Sequence, residues 1–143
     1  MDILGILKDA AEKKASDIFI VAGIPVSYKI NGNIVRTDGE KLMPDDTKEL
    51  IEQMYHMSNE RSMESFEKTG DDDFSFSVNN LSRFRINAYR QRGSMAAVIR
   101  VISFTLPNYK ELGIPDNVMR LSELNSGFVL VTGPAASGKS TTL

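Results

Sequence analysis

The 143-residue sequence contains no cysteine and a single histidine, and both features narrow the chemistry it can carry. Without cysteine there is no disulfide scaffold, no cysteine-based zinc site and no cysteine nucleophile. Any histidine-centred site would have to rest on His56 alone. No apolar run approaches the roughly 20 residues that span a bilayer, and the N-terminus lacks the pattern of a signal peptide. These features predict a cytoplasmic protein that does not insert directly into a membrane.

The composition is typical of a folded globular domain. Apolar residues make up 41% of the sequence and charged residues 25%, which are not the proportions of a disordered chain. The net charge of −2 is unevenly distributed, because five of the eight arginines lie between residues 81 and 100, where there is no acidic residue. This concentration of positive charge is a first indication of a site for anions.

The spacing of apolar residues predicts an α+β domain in the first hundred residues. Helical and alternating patterns predict a helix at 3–14, a strand at 18–21, a hairpin over 26–35, helices from 44 onward and near 59–68, and strands at 73–78, 83–89 and 96–102. Asn31 and Gly32 predict a tight turn in the hairpin, since both central residues of such a turn need positive φ. This order of elements predicts helices on a mixed or antiparallel sheet.

Two groups of acidic residues carry further local predictions. Asp46 and Glu49 have the spacing of a capping box at the start of the second helix. Asp71, Asp72 and Asp73 lack the spacing of a calcium-binding loop. We therefore expect these three aspartates to form a solvated turn before the next strand rather than a metal site.

The pattern changes after the third strand of the meander. Residues 104–116 contain two prolines and few periodic apolar positions, which is typical of a linker. A short helix is predicted near 116–123, and residues 127–131 form a continuous apolar run of the kind found in buried strands. The expected organisation is a domain at 1–103, a linker at 104–116 and the beginning of a second domain at 117–143.

The run at 127–131 leads into a sequence that fits the phosphate-loop pattern G-x-x-x-x-G-K-[ST]. The loop and the residue that follows it are Gly133, Pro134, Ala135, Ala136, Ser137, Gly138, Lys139, Ser140 and Thr141. In such a loop glycines allow consecutive N–H groups to point at a phosphate. Lys139 would supply charge to the β- and γ-phosphates, and the Ser140 hydroxyl would be a ligand for Mg²⁺. The alternative is a chance match in a turn, but the preceding strand-like run favours a site for ATP and Mg²⁺.

Several motifs in fixed order carry a resemblance to a known family. They are Ala15-Ser16-Asp17-Ile18, Asn31-Gly32, Asp73-Phe74-Ser75, Arg83-Phe84-Arg85-Ile86-Asn87, Leu112-Gly113-Ile114-Pro115 and the stretch from Gly127 to Pro134. This series resembles the type II/IV secretion ATPases over essentially the whole chain, and within them the retraction ATPases of twitching motility. The resemblance implies a PAS-like N-terminal domain, a short linker and a RecA-like motor domain. The loop departs from the family pattern at Ala135 and Ala136, where Thr-Gly is usual.

The resemblance also implies a function and an assembly. Members are homo-hexamers that hydrolyse ATP at subunit interfaces and power type IV pilus retraction at the inner face of the cytoplasmic membrane, with an inner-membrane pilus platform protein as partner. Fifteen residues precede Ser16, which favours retraction over assembly motors. The chain would be the N-terminal part of such an ATPase and inactive by itself. The alternatives are a pilus-assembly or type II secretion ATPase, and a PAS-like sensing or interaction module.

Three interpretations of the arginine-rich strand stay open. It could be a solvated sheet face, a platform for single-stranded nucleic acid, or a set of arginines that reach the γ-phosphate of ATP, as the resemblance suggests. The sequence pI of 5.4 disfavours nucleic acid. In addition to Lys139, the candidate catalytic residues are Arg83, Arg85, Arg90, Arg92 and Arg100.

Overall fold

The computed structural model describes residues 1–104, 108–134 and 137–142 and separates into two compact units, Met1–Phe104 and Thr105–Leu143. The elements of the first unit, in chain order, are α1 (Ile3–Glu12), β1 (Asp17–Ile20), β2 (Ser27–Ile30), β3 (Asn33–Arg36), α2 (Pro44–Met57), α3 (Glu64–Thr69), β4 (Asp71–Val78), β5 (Ser82–Gln91) and β6 (Ser94–Ile102). Among the described residues, no helix combines the length and the apolar character needed to cross a bilayer.

All six strands of the first unit belong to one sheet, in the order β3-β2-β1-β6-β5-β4. Every neighbouring pair is antiparallel. Strands β1 and β6 lie side by side in the middle, with Ile18 opposite Ile99. This pairing joins the N-terminal hairpin to the later three-strand meander. The predicted α+β fold is confirmed, and the sheet is antiparallel throughout.

The helices cover one face of the sheet, and the opposite face, called the outer face below, is mostly polar. Along β5, Phe84, Ile86 and Ala88 are fully buried while the residues between them are exposed, as the alternating sequence predicts. The largest fully buried side chains are Phe66, Phe84, Ile3, Leu7, Ile18, Ile20, Leu42, Leu50, Ile51, Met54, Ile86 and Ile99. Burial of each contributes roughly 1.5–3 kcal/mol.

The turn between β2 and β3 forms as the sequence predicts. Asn31 has φ of 50° and Gly32 has φ of 83°, and Ile30 pairs with Asn33 directly across the turn. Asparagine tolerates the left-handed region better than most residues and glycine has no side chain to clash there. The Asn-Gly pair therefore fixes the register of this hairpin.

Helix α2 begins earlier than its sequence pattern suggests, so the predicted capping box is wrong in register. The residue before the helix is Met43, and Asp46, three residues later, accepts a hydrogen bond from the Met43 backbone N–H at 2.7 Å. Pro44 occupies the first helical position, where its missing N–H costs nothing. Because Pro44 starts the helix, Asp46 caps the preceding backbone instead of pairing with Glu49.

The solvated turn predicted at Asp71–Asp73 is also wrong. Gly70 ends α3 with φ of 76°, and the chain enters β4 at once, so all three aspartates are strand residues. Alternation along the strand then places Asp72 on the buried side and its neighbours on the outer face. Because Gly70 reverses the chain in the left-handed conformation, the strand begins at the next residue and no separate turn is needed.

The second unit contains a helix α4 (Asp116–Met119), a 3-10 turn (Arg120–Glu123) and a helix α5 (Lys139–Thr142). The strand predicted at 127–131 is not formed, and Phe128 is 86% exposed and Leu130 71% exposed. A strand is defined by hydrogen bonds to a neighbour, and the described part of this unit provides no second strand. The apolar run is present, but it has no partner with which to pair.

Candidate functional site

Two glycines of the phosphate-loop sequence have positive φ. Gly133 has φ of 155°, and a Cβ added there would lie 2.7 Å from the Ser137 hydroxyl oxygen, so the serine side chain would have to rotate away. Gly138 has φ of 88°, a conformation that favours glycine. Ala135 and Ala136 lie outside the described residues. The Gly133 backbone and the Ser137 side chain therefore lie close together.

Lys139 is the first residue of α5, and its ammonium group faces the backbone of the loop. Nζ donates a hydrogen bond to the Gly133 carbonyl at 2.9 Å and another to the Pro134 carbonyl. The helix begins through hydrogen bonds from the Thr141 and Thr142 N–H groups to the Gly138 carbonyl, at 3.1 and 3.0 Å. The lysine charge is thus held directly over the turn of the loop.

Ser137, Ser140 and Thr141, close to Lys139 in the sequence, are exposed hydroxyl-bearing residues. A serine hydroxyl is a suitable oxygen ligand for Mg²⁺, although such a site usually needs further oxygens from carboxylates or the nucleotide. Within the described residues, no three acidic or histidine side chains are grouped so that they could hold a metal ion.

The predicted arginines do not form a single set, because only three of the five lie on the outer face. Arg83 and Arg85 project there from β5, and Arg100 projects there from β6. Arg85 and Arg100 are direct cross-strand partners. The Arg83 guanidinium donates to the Ser75 hydroxyl at 3.0 Å. These three side chains contribute positive charge to the outer face.

Arg90 and Arg92 lie elsewhere, which corrects the expectation of one arginine-bearing polar face. Arg90 has the same parity along β5 as the core residues, and its guanidinium carbon lies 5.5 Å from the centre of the Phe66 ring. Its backbone N–H donates to the Gly70 carbonyl at 2.8 Å. Arg92 has φ of 49° in the turn that leads to β6. Alternation therefore places Arg90 on the side of the core, and it does not apply to Arg92, which lies beyond the end of β5.

Two of the outer arginines are paired with carboxylates. Arg85 donates to Asp73 through Nε, at 3.1 Å, and through a terminal nitrogen. The hydrogen bonds from Arg85 hold the pKa of Asp73 below its ordinary value. Arg100 donates through Nε to Asp17 at 3.2 Å. Asn87 donates to Asp71 at 3.1 Å on the same face, so the outer face carries ordered polar contacts rather than loose side chains.

Between the two arginine pairs lies a shallow hollow of about 290 Å³. Its lining residues are Asp17, Asp73, Arg85, Asn87, Val98 and Arg100. Sequence reasoning selected the arginines but missed the two carboxylates. For Asp17 the available signal was an acidic residue at the start of an otherwise apolar strand.

A second polar cluster lies on the buried side of β4. Asp72, 8% exposed, accepts a hydrogen bond from the Tyr55 hydroxyl at 2.9 Å and two from Arg61, at 3.1 and 3.0 Å. The hydrogen bonds from Arg61, followed by that from Tyr55, hold the pKa of Asp72 below its ordinary value. Burial and the hydrogen bond to Asp72 raise the pKa of Tyr55. Both other side chains bind Asp72, so this cluster, called the buried clamp below, joins α2 and the segment after it to β4.

Comparison with known proteins places this fold in one family. A model of the type II/IV secretion system protein family matches residues 2–143, so the chain belongs to that family. The chain is 38% identical over its whole length to the Pseudomonas aeruginosa protein named type IV pilus retractation ATPase PilT, of which it covers 41%. It is 32% identical to the type IV pilus ATPase PilU of the same organism, covering 37%.

Solved structures of related ATPases resemble this fold. A crystal structure of the pilus retraction motor PilT with bound ADP superposes with a TM-score of 0.79, at 43% identity, over 99% of this chain and 41% of that one. The ATPase DotB of Legionella pneumophila gives a TM-score of 0.58 at 25% identity, over 99% of this chain and 40% of that one. The chain therefore spans about two fifths of the length of the relatives it matches.

Proposed function

We propose that the chain is the N-terminal part of an ATP-driven motor that powers type IV pilus retraction. The observation that carries the proposal is the match over 99% of the chain, with a TM-score of 0.79, to a retraction motor solved with ADP. Residues 1–103 would be its PAS-like domain, 104–116 a linker and 117–143 the start of a RecA-like ATPase domain.

The phosphate-loop sequence would hold ATP and Mg²⁺ in this protein. The close approach at Gly133 and the ammonium of Lys139 over the loop backbone support this assignment. Lys139 would stabilise charge on the β- and γ-phosphates and the Ser140 hydroxyl would bind the metal ion. The other loop residues, Pro134 to Gly138, and Thr141 would surround the phosphates.

The motor would work as a homo-hexameric ring in the cytoplasm, at the inner face of the cytoplasmic membrane and against a platform protein of the pilus. In such a ring the outer face of one copy would approach nucleotide held by the next, and arginines there could stabilise the transferring phosphoryl group. The exposed positions of Arg83, Arg85 and Arg100 support this role. Arg90 and Arg92 are weaker candidates because neither lies on that face.

The proposal is tested with the full-length protein and its Lys139→Ala variant. We expect Mg²⁺-dependent ATP hydrolysis that Lys139→Ala abolishes, because the substitution removes the positive charge over the phosphates. Lys41→Ala, at an exposed lysine of the sheet unit, is the control and should keep wild-type turnover. Hydrolysis that survives Lys139→Ala, or a protein without ATPase activity, would contradict the proposal.

The cellular role is tested by deleting the gene in a piliated host. Loss of a retraction motor should leave surface pili that no longer shorten, whereas loss of an assembly motor should leave cells without pili. The sensing-module alternative would need an apolar cavity within the sheet unit. The described hydrophobic core is instead filled by large side chains, and the outer-face hollow between Asp17 and Asp73 is lined mainly by charged and polar groups.

A further inference from the structure

Asp17 is an unusual residue for a polar sheet face, because its carboxylate is almost buried there. It is 7% exposed and begins β1, one of the two central strands. In register it stands between Lys29 on β2 and Arg100 on β6. A buried carboxylate is costly unless it is hydrogen-bonded and paired, so its partners indicate what the position requires.

Those partners use both oxygens of the carboxylate. The Ser16 hydroxyl donates to Oδ2 at 2.9 Å, and Arg100 Nε donates to Oδ1 at 3.2 Å. The backbone beneath is fixed as well, since the Ser16 N–H donates to the Lys29 carbonyl at 2.8 Å and the Val101 N–H donates to the Ser16 carbonyl at 3.0 Å. Asp17 is therefore a rigid anchor for one nitrogen of Arg100.

The Arg100 side chain is 67% exposed although its acid partner is nearly buried. Within residues 1–104, 108–134 and 137–142, the Arg100 side chain donates through Nε to Asp17, and neither terminal nitrogen has an acceptor among these residues. Arg85, its cross-strand partner, differs because Asp73 engages both Nε and a terminal nitrogen. Two like charges directly opposite each other repel. Asp17 draws one guanidinium toward β1 while Asp73 draws the other toward β4, and the hollow lies between them.

We propose that Asp17 is a positioning residue that holds Arg100 by Nε so that the two terminal nitrogens face a phosphoryl group of bound nucleotide. The proposal rests on the proposed function and singles out Arg100 among the five candidate arginines. A guanidinium presents its donors in a fixed fork that matches phosphate oxygens. Anchoring it at Nε removes its rotational freedom before the phosphate arrives, while leaving both outward donors for the ligand.

The test is a double-mutant cycle on ATP turnover by the full-length protein. We expect Asp17→Ala to lower kcat about 10- to 100-fold, since a misplaced catalytic group costs that much, with KM for ATP little changed. Asp17→Asn keeps an oxygen that can accept from Nε and should recover part of the activity. In the Arg100→Ala background, Asp17→Ala should have no further effect, because the two residues act as one unit.

Asp72→Asn is the matched control, since it alters an equally buried, arginine-paired aspartate on the other side of the sheet. It should lower stability but leave kcat unchanged below its melting temperature. Equal loss of kcat from Asp17→Ala with and without Arg100 would overturn the proposal, and so would a change confined to KM. Should Asp17→Ala fail to fold, Asp17→Asn carries the same cycle.

The same assays separate this inference from the proposed function. If hydrolysis depends on Lys139 but is insensitive to both Asp17 and Arg100, the inference fails and the proposed function stands. If no Lys139-dependent hydrolysis is found, both fail.

Discussion

Two arginine–carboxylate contacts on opposite faces of the same sheet use the same chemistry in different ways. On the buried side, Arg61 donates to Asp72 through Nε and a terminal nitrogen, and Tyr55 completes the site. On the outer face, Arg100 donates to Asp17 through Nε. The two aspartates are almost equally buried, at 8% and 7% exposure, so burial of the acid does not distinguish them.

The arginines distinguish the two contacts. The side chain of Arg61 is 40% exposed and spans from the segment after α2 to β4, whereas that of Arg100 is 67% exposed. Arg61 gives Nε and a terminal nitrogen to a buried carboxylate, and this contact stabilises the fold. Arg100 gives Nε to its carboxylate, and in our proposal its terminal nitrogens serve a ligand. The donors that remain after the ion pair has formed, together with the exposure of the arginine, therefore distinguish a stabilising contact from a functional one.

The largest expected effect concerns the outer contact. Arg100→Ala in the full-length protein should lower ATP turnover by about 10³-fold, as removal of an arginine from a phosphoryl-transfer site does. The oligomeric state should change little, but the melting temperature should fall, because the nearly buried Asp17 carboxylate loses its charged partner, so turnover is compared well below the melting temperature of the variant. Arg36→Ala, at an exposed arginine of β3, is the control. Wild-type turnover by Arg100→Ala would show that the contact between Arg100 and Asp17 has no role in ATP hydrolysis.

The buried contact should show the reverse pattern. Asp72→Ala should destabilise the 143-residue chain by about 3 kcal/mol, because it leaves Arg61 and the Tyr55 hydroxyl without their shared acceptor. Urea denaturation followed by circular dichroism measures this change. Tyr55→Phe removes one hydrogen bond and should cost about 1 kcal/mol. A loss of ATP turnover by folded Asp72→Ala protein would show that the buried clamp also serves catalysis.

Sequence patterns predicted the sheet unit well where local chemistry decides the structure. Asn31 and Gly32 suit their turn conformation, so the hairpin and its register followed. Strict alternation along β5 predicted that Phe84 and Ile86 face the core and that Arg83 and Arg85 do not. In such segments each residue's own preference agrees with the fold, and no distant partner is needed.

The carboxylates were missed because their roles depend on register and on distant residues. Three consecutive aspartates look alike in sequence, and Asp72 is the buried one because β4 begins directly after Gly70 and Asp72 has the same parity along the strand as Phe74 and Phe76. The partner of Asp17 lies 83 residues away, on a strand paired across the middle of the sheet. The predicted strand at 127–131 failed for a related reason, because strands require partners that local sequence does not supply.

Acid should weaken the buried contact in a defined direction. The folded-state pKa of Asp72 is lowered by Arg61 and Tyr55, so its stabilisation is fully present above the unfolded value of about 3.9. It is lost as the pH falls through the lowered folded value. The stability difference between wild type and Asp72→Asn should therefore be constant from about pH 5 to 7 and shrink below about pH 4. A difference that stays constant down to pH 2 would show that the carboxylate charge is not what stabilises the clamp.

The smallest effect should come from the third contact, between Arg85 and Asp73, which is bidentate like the buried pair but exposed like the outer one. Their side chains are 61% and 45% exposed, and water screens such pairs strongly. Arg85→Ala should shift the melting temperature of the 143-residue chain by less than about 2 °C, and about 1 M salt should remove even that difference. Asp73→Ala should behave alike, since each variant removes the same contact. A shift comparable to that of Asp72→Ala would mean that two-nitrogen pairing stabilises this sheet regardless of burial, and the distinction between its faces would then rest on Arg100 alone.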